Sequence, residues 1–181
     1  MPITIGAKPE SSFNDPIGIL TDCHRRIERF LSVLVQVSNQ TTLKEEQRAA
    51  LDTALRYFRE AAPKHTADEE ESLFPRLRST GRPELNPVLT KMDSLESDHA
   101  RADQDHAEID RLGHEWLAAG SLSPADAARF SALASRLAEL YRQHIAVEER
   151  ELFPVAATVL ETQQRQAMGR EMEARRGLGR R

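Results

Sequence analysis

The sequence predicts an all-α protein: an up-down-up-down antiparallel four-helix bundle followed by a short extra C-terminal helix. Three features point there. Apolar residues recur at steps of three and four along four long segments, and no segment sustains the period-two alternation of a half-buried strand. The joints between those segments are short and rich in Ser, Asn, Gly and Pro, which favours antiparallel neighbours. The composition, 39% hydrophobic and 30% charged, suits amphipathic helices, and 181 residues suffice to bury one substantial core.

The first helix is expected to start after Asn14-Asp15-Pro16, where an N-cap precedes a proline in the first turn. Its stripe is Leu20, Ile27, Leu31 and Leu34, with His24 in the slot between the first two. The second begins near Leu43 and aligns Leu51, Leu55, Phe58, Ala62, His65 and Glu69. Pro63 should bend or break it, because the ring removes a backbone donor and clashes with the preceding turn. Residues 79–87, STGRPELNP, mark the centre of the chain. The third helix carries Met92, Leu95, His99, Ala102, His106 and Ile109. In the fourth, Ser123 is the expected N-cap and Pro124 the first helical residue, and Phe130, Leu133, Leu137, Leu140, His144 and Glu148 face inward. Pro75 and Pro154 should bend or end the second and fourth helices. A short fifth helix, about Glu161 to Arg176, has a weaker stripe and stops at Gly177. The expected organisation is an N-terminal arm over 1–13, the bundle over 14–160, and a short basic helix and tail over 161–181.

Charge and composition exclude several classes. A net charge of -4 argues against wholesale nucleic-acid binding. Residues 165–181 hold six Arg against two Glu, but no aromatic residues interleave with them, so a basic helix with a frayed end is expected there rather than a nucleic-acid or membrane surface. Cys23 is the single cysteine, which fits a reducing compartment. There is no secretory h-region and no run of 18 apolar residues, so a cytoplasmic location is expected. Gly-rich phosphate loops, CxxC pairs and GxSxG elbows are absent.

One phrase occurs twice. Residues 65–75 read HTADEEESLFP and residues 144–154 read HIAVEERELFP, with His, Ala, Glu, Glu, Leu, Phe and Pro at the same offsets. Each follows a helix with one inward histidine, His24 or His99, so a tandem duplication is implied. Residues four apart on a helix share a face, so His65 with Glu69, and His144 with Glu148, address the same neighbour. A carboxylate in a bundle interior is costly unless paired or bound to a cation. His24, His65, Glu69, His99, His144 and Glu148 are therefore the candidate metal donors, two His for each of two ions with both carboxylates free to bridge. Imidazole with carboxylate suits iron, manganese or zinc. An oxo or hydroxo bridge would bring each ion to about five donors, leaving a position for dioxygen, nitric oxide or peroxide. Glu70 and Glu149, rotated about 100° away, should lie outside the donor set or face solvent.

The pattern H…HxxxE…H…HxxxE, with DPIGILTDCHRRIERFL, APKHTADEEESLFPRL and YRQHIAVEERELFP, resembles the hemerythrin-like (HHE cation-binding) family over roughly residues 14–160. That resemblance implies a non-haem di-iron bundle with the same six donors. Oxygen-carrying hemerythrins have an HxxxH in the third helix; here the fourth residue after His99 is Asp103, either a further carboxylate donor or an exposed residue. With four histidines, both ions would have exchangeable positions. Relatives of this kind are associated with oxygen or nitric oxide response, peroxide decomposition, iron homeostasis and iron-sulfur repair. His106 is about 10 Å along the helix from His99, too far for the same ion. It is expected to be a buried polar residue or to line an approach. Tyr141, Trp116 and Cys23 are expected in packing roles, His114 at the surface, and Phe74 and Phe153 in packing at a helix stop, with walls against water as the alternative.

Overall fold

The computed structural model describes residues 11–178, and all of its regular structure is helical. Most of the arm expected over 1–13, and the last residues of the tail, lie outside the described residues. Helix α1 spans Pro16–Ser38, α2 Glu45–Glu60, α3 Ala62–Ala67, α4 Phe74–Arg78, α5 Asn86–Ala119, α6 Pro124–Val147, α7 Phe153–Val159 and α8 Thr162–Arg175. The starts follow the sequence signals: the Asp15 carboxylate accepts from the Gly18 N–H at 3.0 Å, and the Ser123 hydroxyl from the Asp126 N–H at 3.1 Å. Helix α5 stops at Gly120, whose φ of 83° is the left-handed conformation that a side chain would strain.

Helices α1, α2, α5 and α6 form a ring in which each packs chiefly against two others: α1 on α2 and α6, α5 on α2 and α6. Their interior is divided. One apolar cluster runs from Ile27 to Val37 on α1 and includes Leu51, Leu55, Ile109, Trp116 and Phe130; the other holds Leu20, Leu73, Phe74, Met92, Leu95 and Phe153. On α1 and α5 the switch from one cluster to the other happens at a histidine: between Leu20 and Ile27 on α1, and between Leu95 and Ala102 on α5. The buried polar residues therefore form a layer across the core.

Pro63 breaks the second segment as its ring requires, with α2 ending at Glu60 and α3 opening at Ala62. Pro75 and Pro154 do not simply end theirs. The chain widens into π-helical turns over Asp68–Leu73 and Glu148–Leu152, where the Phe74 N–H bonds the Glu69 carbonyl and the Phe153 N–H bonds that of Glu148, five residues back. The wider turn absorbs the proline next in line, and short helices α4 and α7 continue beyond it.

Helix α8 is not a loose basic appendage. It packs on α1 and on the first π turn, burying Met168 and Met172 completely. Arg175 and Arg176 donate to the carboxylate of Asp68 at 2.9 and 2.7 Å, Asp68 being wholly buried. Arg76 and the Ser72 hydroxyl bond Glu171 from the other side. A buried carboxylate needs such partners, so two of the Arg residues in the basic C-terminal segment are half-buried against the bundle.

Candidate metal centre

All six predicted donors meet in the polar layer. His24, Glu69 and Glu148 have no exposed surface, and His65, His99 and His144 are buried. Helix α1 supplies His24, α3 His65, α5 His99 and α6 His144; the glutamates come from the two π turns, a widening common at functional sites. His24 Nε2 lies 3.0 Å from Glu148 Oε2, His65 Nε2 3.1 Å from Glu69 Oε1, His99 Nε2 3.3 Å from Glu69 Oε2, and His144 Nε2 3.3 Å from Glu148 Oε2. The Nε2 atoms of His99 and His144 stand 3.1 Å apart.

These separations fit a cation. Donors bound at about 2.1 Å and at right angles around an ion sit about 3 Å from one another. None of the four glutamate oxygens, nor His24 Nε2, has a properly aligned hydrogen-bond partner, although all are buried. Polar atoms so placed are costly unless something else satisfies them. Two groups of atoms are tight enough to hold an ion, His24 with His65, Glu69 and Glu148, and Glu69 with His99 and His144. Glu69 serves both, and the Glu148 oxygen facing His24 also faces His144.

The outer edges of two rings are fixed by residues that sequence reasoning left outside the centre. His24 Nδ1 donates to Glu149 Oε1 at 2.9 Å, and His99 Nδ1 to Glu70 Oε1 at 2.7 Å. A carboxylate can only accept, so each ring carries its proton on Nδ1 and leaves Nε2 to point inward. Glu149 is itself held by Arg25. The signal was available: in each phrase a second glutamate follows the donor. Phe153 stacks on the His24 ring at 5.2 Å, and Phe74 is fully buried in the same apolar cluster as Phe153.

Without an ion the cluster neutralises itself with protons. Burial alone would lower the His24 and His99 pKa values, but Glu148 and Glu69 beside the one, and Glu69 and Glu70 beside the other, push them up to about 10 and about 9. Burial lowers His65 to about 4, so that ring stays neutral. Burial alone would raise the Glu69 carboxyl, yet the His65, His24 and His99 rings hold it well below the usual range.

Asp103 lies outside both groups, exposed on a groove between α2 and α5. His106 is largely buried there, stacked on Phe58 at 4.3 Å and 3.3 Å from the Tyr141 hydroxyl. Trp116 is core and His114 is exposed, as expected. Cys23 is buried.

The model of the hemerythrin HHE cation-binding domain matches residues 15–156, most of the chain and a span that contains all six candidate donors. The chain belongs to that family. As a hemerythrin HHE domain it carries a buried His/Glu cluster that could hold metal cations. It is also similar to an uncharacterised protein of Haemophilus influenzae (strain KW20), 30% identical over 169 residues that cover 92% of each chain. No described helix of this HHE domain is long and apolar enough to cross a membrane.

Proposed function

We propose that the protein is a cytoplasmic hemerythrin-like di-iron protein, an up-down-up-down bundle whose centre binds or senses dioxygen or nitric oxide at an open iron position. His24, His65, Glu69 and Glu148 would hold one ion, and Glu69, His99 and His144 the other, with an oxo or hydroxo bridge between them. Iron in such a donor set supplies a redox-active cation to which a diatomic molecule can coordinate. The supporting observation is the donor count: three or four protein donors per group leave positions that an octahedral ion would fill otherwise, and Asp103 stands apart. The chain's own work is to keep the imidazoles aimed inward, through Glu70 and Glu149, and to keep bulk water out with Phe74 and Phe153.

The test is iron analysis of protein made with iron available, followed by titration of the reduced form with each gas. Two irons per chain and a reversible change in absorption are expected. Iron near zero, or irreversible oxidation with no adduct for either gas, overturns the proposal. An enzyme acting on peroxide, or in iron homeostasis or iron-sulfur repair, is favoured by a different feature: the buried Tyr141 hydroxyl, beside His144 and bonded to His106, is an oxidisable group close to the centre. Catalytic oxygen release from peroxide that disappears in His65→Ala or Glu148→Ala would select it.

A further inference from the structure

The two halves can be superposed by residue number, and the second contains a groove leading to its phrase histidine. In the second half a cavity of about 230 Å³ between α5 and α6 is lined by Ser94, Leu95, Asp98, His144 and Val147, among others. Counting from His99 back to His24 and from His144 back to His65, the counterparts of these five in the first half are Ile19, Leu20, Cys23, His65 and Asp68. Helix α8 packs over those positions, against α1 and the first π turn. Arg176 reaches both Asp68, at 2.7 Å, and the Cys23 sulfur, at 4.0 Å. Met168 and Met172 sit fully buried in the same apolar cluster as Ile19, Leu20 and Cys23. Among the described residues nothing fills the second groove.

We propose that small ligands reach the centre through this α5–α6 groove beside His144, and that α8 closes the equivalent route through the first half. The proposal rests on the reading that the centre exchanges small ligands, and it assigns that exchange to the ion held by His99 and His144. Three further observations support it. Three candidate donors group tightly at that end against four at the other, although the Glu148 oxygen also faces His144. The Nδ1 atom of His144 has no hydrogen-bond partner and lies 3.6 Å from Asp98, both residues lining the groove. The larger cavity, about 380 Å³ between α2 and α5, does not reach the donors: Phe58 and His106 line it, stacked on one another, and the buried Tyr141 lies behind them, against His144. A diatomic molecule or small linear anion fits the second groove, whereas the backing of that larger cavity is aromatic and close-packed.

Azide is a suitable probe, because its association with and dissociation from the iron-loaded protein can be followed by rapid-mixing absorbance. Val147→Phe fills the groove, and Ser94→Trp, at an exposed position on its rim, caps it without touching the core. Each is expected to slow association and dissociation together by about tenfold. The equilibrium constant, absorption spectrum and iron content should be unchanged, since a plug raises a barrier without altering either end state. Ala107→Phe, in the α2–α5 cavity, should leave both rates as in the parent. Unchanged rates in both plugged variants, with iron retained, would overturn the route alone, as would slowing by Ala107→Phe. If azide leaves the spectrum of the loaded parent unaltered, the ligand-exchange reading falls and takes the route with it. A changed equilibrium constant in both plugged variants would mean that they act on the centre itself, which also counts against a port.

Discussion

The two copies of the phrase fold alike but live in different surroundings. Each gives an inward histidine, a π turn, a glutamate that faces histidines of both halves, a second glutamate that orients a distant ring, and a buried phenylalanine. They differ where the chain outside them differs. Asp68 is gripped by Arg175 and Arg176, while its counterpart Val147 borders an open groove; Ser72 is buried under α8, while its counterpart Glu151 is exposed and pairs with Lys91. What the cation needs is shared, and what the neighbouring helix needs is not.

The largest difference between the copies should appear on removing the bridging carboxylates. The oxygens of Glu69 face separate histidines, Oε1 toward His65 and Oε2 toward His99, whereas the Glu148 contacts to His24 and His144 run through a single oxygen. Glu69→Ala is therefore expected to abolish retention of both ions on metal analysis, and Glu148→Ala to retain a residual fraction. Equal loss would erase the asymmetry.

Next comes the clamp. Replacing Arg175 and Arg176 together by Ala strands the buried Asp68 carboxylate and should cost about 3 kcal/mol in urea denaturation. Asp68→Val, which writes the second phrase's residue into the first, leaves the arginines partly exposed and should cost about 1 kcal/mol or less. A larger loss from Asp68→Val than from the double arginine change would refute this account of the clamp.

Smaller effects should follow from Glu70→Gln and Glu149→Gln, each weakening the cation by about tenfold in competition with a chelator, as expected for groups that orient a ligand ring. The smallest concerns protons. His24 and His99 have raised pKa values in the metal-free fold, so their contribution to its stability is complete below about 6.5, the ordinary value, and fades as pH rises through about 9 and about 10. Cation uptake must displace those protons. Calorimetry at pH 7.5 in buffers of different ionisation enthalpy should therefore show proton release, and the cation should bind more tightly as pH rises.

The clustering of the six candidate donors was legible because two independent patterns coincide on them: helical stripes that put His24 and His99 inward, and a repeated phrase that pairs His with Glu at one-turn spacing. The helix starts at Pro16 and Pro124 were legible for a local reason, since capping acts within a few residues. The clamp was not. Asp68 precedes the inward Glu69 and lies on no apolar stripe, and its partners lie more than a hundred residues away in a segment that reads as a basic helix with a frayed tail. Only the mismatch with Val147 hinted that Asp68 had a particular neighbour. The π turns were half legible: Pro75 and Pro154 announce a disturbance, but whether the chain stops or widens depends on packing around the glutamates.

Glu149 steadies His24, and Glu70 steadies His99, so each carboxylate reaches across to the opposite duplicated unit. Neither unit can aim its own leading imidazole. A lone ancestral half would have been unable to assemble this centre by itself, and two copies would have had to embrace, trading these glutamates between subunits.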